Sequence, residues 1–290
     1  MINQTLPKIS IVTPSFNQGE FLEETIFSVL SQNYPNLEYV IIDGGSTDNS
    51  IDIIRKYQDH LTYWISEPDR GQYDAINKGF AQTTGEIMAW INSDDKYTPW
   101  AFNVIAQVFK SLLQVEWLTT LCPLIWDRQG NPVSFLSRGG YTYSGFMRGE
   151  NLPKYCIQQE SVFWRRSLWE RTGAKLDSSL RLAGDFELWT RFYQQAKLYT
   201  VEVPLGGFRL YGDQKSVIEY DNYCQEAKES LIKYGGYCYP SIISSFILGL
   251  KRYIKLPHVI RQILVKIKIK DEHNLCIYSI EEKTWKVKKI

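Results

Sequence analysis

The chain of 290 residues is poor in the groups on which many metalloproteins, secreted scaffolds and nucleic-acid binders depend. Its three histidines, His60, His258 and His273, are scattered, which leaves no imidazole cluster for zinc. Five cysteines, Cys122, Cys156, Cys224, Cys238 and Cys276, are odd in number and contain no Cys-x-x-Cys pair. Reduced thiols are therefore expected rather than a disulfide framework. A formal charge of +1 excludes the broad basic face of a general nucleic-acid binder. No uninterrupted apolar run approaches the roughly 20 residues of a bilayer-spanning helix. Internal repeats and low-complexity linkers are also missing. Met1 to Pro7 has neither the basic start nor the apolar stretch of a signal peptide, so a cytoplasmic location is expected.

What is present is a large apolar share, 44% hydrophobic and 14% aromatic residues, enough for one substantial domain with an appendage. From Lys8 the chain alternates short β-rich runs with stretches of helical period, the pattern of a parallel sheet covered by helices in an α/β fold. The runs are KISIVT (Lys8 to Thr13), LEYVIID (Leu37 to Asp43), LTYWIS (Leu61 to Ser66) and EIMAWI (Glu86 to Ile91). Between them Phe21, Leu22, Ile26, Val29 and Leu30 share one helix face, Ile51, Ile53 and Ile54 begin a second, and Ala75, Ile76, Gly79 and Phe80 fit a third. Ligands of open α/β sheets bind beyond the carboxyl ends of the strands. The loops there are Pro14-Ser15-Phe16-Asn17, Gly44-Gly45-Ser46-Thr47-Asp48, Glu67-Pro68-Asp69-Arg70-Gly71 and Asn92-Ser93-Asp94-Asp95. The last sets two adjacent carboxylates at a strand tip, a donor set suited to a hard cation such as Mg²⁺ or Mn²⁺ that shares its remaining positions with phosphate.

The segments ISIVTPSFNQGEFLEETIFSVLSQNYPNLEYVIIDGGSTDNS and SEPDRGQYDAINKGFAQTTGEIMAWINSDD resemble the nucleotide-binding half of the bacterial family 2 glycosyltransferases, over residues 8 to about 100. The resemblance implies the GT-A fold, a Rossmann-like mixed sheet flanked by helices, and with it an inverting transferase, a nucleotide-diphosphate sugar donor with a UDP-sugar foremost, and Mn²⁺ or Mg²⁺ as cofactor. It also implies a glycan or lipid-linked glycan acceptor in cell-surface polysaccharide synthesis. By the same resemblance Thr13, Pro14, Ser15 and Asn17 wrap base and ribose, and Asp43 hydrogen-bonds the base. Asp94 then lies near the ribose, and Asp95 ligates the metal on the diphosphate. Arg70 and Lys78 either add to charge neutralisation or are solvated charges, and Asp74 is counted with the nucleotide-sugar-binding set. Gly44 stands where the family often has a second acid, a departure that bears on the base contacts.

Transfer to a hydroxyl needs a general base. Asp185, in LRLAGDFELWTRFYQQ, reads from the residues alone as a helix N-cap. By resemblance to the family's acceptor-side Glu-Asp motif, with Gly184 in place of the Glu, it becomes the base. Glu187 points to a different helix face. Upstream, Gln159 and Glu160 either touch the acceptor or donor sugar or, as strand-end polar residues usually do, meet only water, and Trp164 and Trp169 are read as core rather than as stacking platforms. KLYTVEV reads as a strand and GGFRLYGDQKS as a loop. Tyr211 occupies the place of a family His, so either the metal keeps a water there or Tyr211 hydrogen-bonds a phosphate. Arg209 and Lys215 are read as further partners of the diphosphate, and Ser216 as a cap of the next helix.

The expected organisation is a GT-A catalytic domain over residues 1–215, divided at about 100 into nucleotide-sugar and acceptor halves, followed by a helical, basic appendage over 216–290. From Lys251 to Ile290 there are eleven Lys and Arg against four Asp and Glu. The stretch SIISSFILGLKRYIKLPHVIRQILVKIKIK, interrupted by Pro257, either packs on the catalytic domain or a partner chain or lies on the inner face of a membrane as an amphipathic helix. Strands are expected from Asn274. Two other readings are a sugar nucleotidyltransferase and a non-catalytic glycan- or lipid-binding relative. The first would carry a Gly-rich loop with Arg and Lys after its first strand, and PSFNQGEF has no such cation. Donor hydrolysis with Mn²⁺ separates the second from an enzyme.

Overall fold

The computed structural model of the chain describes residues 6–150, 152, 156–237 and 272–290. Thirteen strands among them are β1 (Ile9–Ser15), β2 (Leu37–Asp43), β3 (Tyr63–Ser66), β4 (Ile87–Trp90), β5 (Lys96–Tyr97), β6 (Trp117–Thr120), β7 (Leu124–Trp126), β8 (Pro132–Phe135), β9 (Phe163–Arg165), β10 (Leu198–Val201), β11 (Gly206–Arg209), β12 (Asn274–Ser279) and β13 (Thr284–Lys289). Nine build one mixed sheet in the order β13-β12-β10-β6-β9-β4-β1-β2-β3, and four build a second, β5-β11-β7-β8. The helices are α1 (Leu22–Leu30), α2 (Ser50–Tyr57), α3 (Gln72–Phe80), α4 (Ala101–Ser111), α5 (Tyr143–Met147), α6 (Arg166–Arg171), α7 (Gly184–Gln195), α8 (Lys215–Ile218) and α9 (Tyr220–Lys233).

The expected strands and helices of the first hundred residues are all present, because a parallel sheet buried on both faces demands near-continuous Val, Ile and Tyr runs. β1 lies between β2 and β4, parallel to both, with Ser15 opposite Asp43 and Val12 opposite Trp90. The carboxyl ends of these strands therefore share one edge. β9 enters antiparallel between β4 and β6. Its reversal brings the preceding 3₁₀ turn, Gln159–Ser161, to that same edge.

Behind the edge the core is aromatic. Trp90, Trp117, Trp164 and Trp189 are buried, with Trp90 stacked on Trp189 at 5.7 Å and edge-on to Trp164 at 5.6 Å. Each such ring removes ~150–250 Å² from water, which fixes α7 on the sheet through Trp189 and Phe192. Trp164 and Trp169 are core, as expected. Cys122, Cys156, Cys224 and Cys276 form no disulfide with one another.

One expectation is corrected. Gly206 to Arg209 is strand rather than loop, pairing antiparallel with β5 and parallel with β7. Gly-Gly reads as turn chemistry, but here a Cβ on Gly207 would lie 2.6 Å from the Leu124 carbonyl and one on Gly206 2.7 Å from that of Glu160. The glycines permit backbone to lie on backbone. The boundary expected near residue 215 falls between β11 and α8, and the main sheet continues past it: β12 pairs with β10 in parallel and β13 closes a hairpin on β12. The amphipathic stretch at 241–270 and Cys238 lie outside the described residues.

Candidate active site

The first two loops are tied to each other by the residues that sequence reading gave to the nucleotide. Asp43 is buried, and its carboxylate accepts from the Gly45 and Ser46 amides at 3.1 and 2.8 Å, the Ser46 hydroxyl at 2.5 Å and the Ser66 hydroxyl at 2.7 Å. It thus shapes its own loop. Asn17, in the left-handed region at φ 50°, accepts the Thr47 amide at 2.8 Å. The buried Thr13 hydroxyl shares a hydrogen bond with the Tyr39 hydroxyl at 3.0 Å. Ser15 is buried at the strand end, and its hydroxyl has no partner. Pro14 is buried within β1.

At Gly44, where a second acid was noted as missing, a Cβ would lie 2.8 Å from the Asp69 carboxylate and 3.3 Å from the Phe16 ring. The next loop thus delivers an acid to that place, a substitution across loops that sequence reading missed. Arg70, Asp74 and Lys78 form a closed ion network. Arg70 donates to Asp74 at 2.7 Å, while Lys78 lies 2.8 Å from Glu67 and 3.8 Å from Asp74. Arg70 remains 82% exposed, so of the two cations it is the freer to turn toward an anion.

The Asn92–Asp95 turn at the tip of β4 is held from three sides. Thr25 of α1 donates to the carbonyls of Ser93 and Asp95 at 2.9 and 2.8 Å. The Arg209 amide donates to Asp95 Oδ1 at 2.9 Å, and the Arg209 guanidinium to the Asp94 carbonyl at 2.7 Å. Tyr211 donates its hydroxyl to Asp94 Oδ2 at 2.9 Å. A buried turn leaves carbonyls that must find donors, and these residues supply them. This corrects the expectation for Arg209. Its side chain is buried, pairs with Glu24 and also donates to the Arg128 carbonyl. It is a strut under the acidic doublet rather than a diphosphate ligand. Lys215 opens α8 and is exposed.

Four carboxyls converge electrically behind this turn. Burial raises Asp94 above the usual carboxylate range. Burial, then Asp94 and Glu160, raises Asp95 further. Glu160 in the 3₁₀ turn is pushed up to about 8 by burial and by repulsion from Asp185 and Asp94, and its Oε1 is buried without a partner. Asp185 is raised to about 7, chiefly by burial. Glu160 therefore feels both the doublet and Asp185, a bridging place that the sequence marks only as polar residues ahead of an apolar strand.

Asp185 is not an N-cap. Ala183 holds that position, no side chain of α7 caps it, and Asp185 sits in the first turn with Oδ1 buried and unpartnered. Glu187 points elsewhere, gripping Arg191 at 2.8–3.0 Å and the Tyr234 hydroxyl at 2.8 Å. Where the family motif has Glu, a Cβ on Gly184 would meet the Tyr73 ring at 2.7 Å, and that ring is fixed by its hydroxyl bond to the Leu182 carbonyl at 2.6 Å. Gly184→Ala is expected to lower stability by about 1–3 kcal/mol through overpacking, read as a fall in Tm. Adding Tyr73→Ala should return part of that loss through relief of the clash, and independent effects of the two changes would remove this packing account.

The acidic doublet fits a divalent cation. Its oxygens are hard ligands, burial and the neighbouring Asp94 raise Asp95, and a cation would relieve that repulsion. Among the described residues no group of three or more His, Cys, Asp or Glu is placed to hold a metal ion.

Solved structures share this architecture. TarS 1-349 of S. aureus, in complex with UDP-GlcNAc, matches with a TM-score of 0.59 at 16% identity over 91% of this chain and 76% of that one. The mannosyltransferase PcManGT of Pyrobaculum calidifontis, in complex with GDP-Man and Mn²⁺, matches with a TM-score of 0.54 at 16% identity over 89% of this chain and 83% of that one. The fold is that of the GT-A glycosyltransferases. A family model for glycosyl transferase family 2 matches residues 10–171. An uncharacterized glycosyltransferase, Rv1514c, of Mycobacterium tuberculosis is 36% identical over 192 residues, 64% of this chain and 68% of that one. The chain belongs to glycosyl transferase family 2.

Proposed function

We propose that this glycosyltransferase is inverting and metal-dependent, and that it moves a hexose or N-acetylhexosamine from a nucleoside-diphosphate sugar, a UDP-sugar first, to a hydroxyl of a glycan or lipid-linked glycan in cell-surface polysaccharide. The observation that carries this reading is the pairing of the acidic doublet at the tip of β4 with Asp185 in the first turn of α7, linked electrically through Glu160. The doublet serves the leaving diphosphate and Asp185 the acceptor.

Asp185 takes the acceptor proton as the acceptor oxygen bonds to the anomeric carbon. The bond from that carbon to the diphosphate oxygen breaks on the opposite face, and configuration inverts. A base near 7 is matched to neutral pH. Asp95, with Asp94, would hold Mn²⁺ or Mg²⁺, which when bound neutralises charge on the departing diphosphate. The Asp43 and Asn17 loops frame the base, and Arg70 can turn toward the phosphates. Contact of the basic tail with the inner face of a membrane belongs to the same proposal. Among the described residues no helix is long and apolar enough to cross a membrane.

Incubation of the purified protein with Mn²⁺ and a panel of UDP- and GDP-hexoses tests the reading. Release of one nucleoside diphosphate, suppressed by chelator, is expected. Neither release nor binding across the panel would overturn it.

A further inference from the structure

The segment that leads into α7 has no cap of its own, yet its backbone is held firmly from a distant helix. Glu226, in the middle of α9, places one carboxylate oxygen 2.9 Å from both the Leu182 and Ala183 amides and the other 3.2 Å from the Arg181 amide. Arg181 also pairs through its side chain with Glu219 at the head of α9. Further along, Tyr234 bonds Glu187 at 2.8 Å and accepts from Gln194 at 3.3 Å. Tyr223, Cys224, Ala227 and Leu231 form the buried face of α9. A carboxylate at this end also complements the helix dipole, and satisfies amides that would otherwise stay orphaned. The clamp ends two residues before Asp185.

We propose that Glu226 is a positioning residue for Asp185: by gripping the amides of residues 181–183 it sets the carboxyl of the first turn of α7 at the acceptor side. This rests on the reading of Asp185 as the base. It follows that a helix placed in the appendage by sequence completes the site. The groups facing Asp185 are Tyr223 and Glu226 from α9, Tyr73 from α3, Glu160 from the 3₁₀ turn and Cys156 ahead of it. Of these, the Glu226 charge acts to raise Asp185.

The test is Glu226→Gln in the full chain, with the Asp185 carboxyl followed by ¹³C NMR titration, assigned against Asp185→Asn, and with amide exchange at 181–183. A glutamine keeps one acceptor oxygen but turns an N–H toward donors. The Asp185 midpoint is expected to fall below its wild-type value because a like charge is gone. Exchange at 181–183 should quicken by about tenfold or more, the loss of one charge-assisted bond, while β1 and β2 keep their protection and the Kd of UDP with Mn²⁺ is unchanged. Glu226→Asp, which keeps the charge but is too short to reach, should quicken exchange with the midpoint held near that of wild type; it also serves if the Gln variant fails to fold. An unmoved midpoint with unmoved exchange in Glu226→Gln overturns the proposal. Neither readout needs turnover, so a wild-type protein that fails to bind UDP would overturn the donor-site reading separately.

Discussion

Asp95→Asn is expected to fold as well as the parent and to lose metal-supported donor binding, with turnover falling by roughly three orders of magnitude, the several kcal/mol that a cation contributes at a leaving phosphate. Asparagine keeps the oxygen that accepts the Arg209 amide, so the turn retains its anchor. What disappears is a charge that burial, Asp94 and Glu160 all disfavour. In the metal-free protein that charge is destabilising, and its removal should leave Tm unchanged or higher. Asp95→Ala differs, because it strands the buried Arg209 amide at a cost of about 1–3 kcal/mol. Calorimetric titration of UDP with and without Mn²⁺, beside Tm for both variants, separates the two effects. An Asn variant that binds UDP in the wild-type, Mn²⁺-dependent manner would remove Asp95 from the metal's shell.

The donor half was legible because its order is local. Each strand is a short apolar run, and each functional loop begins where that run stops, so Asp43, Asp94 and Asp95 fall at strand tips in both sequence and structure. The long-range contacts were not legible. Nothing around Gly44 announces that Asp69 fills its side-chain space, and nothing around Arg209 announces that its guanidinium runs beneath a turn more than a hundred residues earlier. Asp185 reads as an N-cap from the residues alone and as the base by resemblance, and the structure gives the N-cap position to Ala183. The amides of residues 181–183 that lead into α7 are held by Glu226, forty-one residues on from Asp185, whose helix has an ordinary amphipathic pattern with no sign of its partner. Local propensity sees the element, and only packing sees which element completes a site.

Asp185→Asn is expected to abolish transfer, by about 10²–10⁴-fold in kcat, while UDP binding with Mn²⁺ stays intact. The wild-type rate should climb through about pH 7 as the carboxyl loses its proton. The same shift reaches stability with a definite sign. Asp185 is raised to about 7 in the folded chain, against ~3.9 when unfolded. Between these values the unfolded state gives up its proton first. The group's contribution is therefore full below about pH 4 and is lost as pH rises through about 7. Asparagine cannot ionise and lacks this loss. The Tm of Asp185→Asn minus that of wild type should grow from pH 4 to 7 and level off above, giving an inactive variant that is the more stable one at pH 8. Such a trade is the mark of a carboxyl kept buried for chemistry rather than for the fold. A thermal-melt series across that range decides it: a difference that shrinks with rising pH, or retained turnover in the variant, would mean that Asp185 is structural and that the acceptor's proton goes elsewhere.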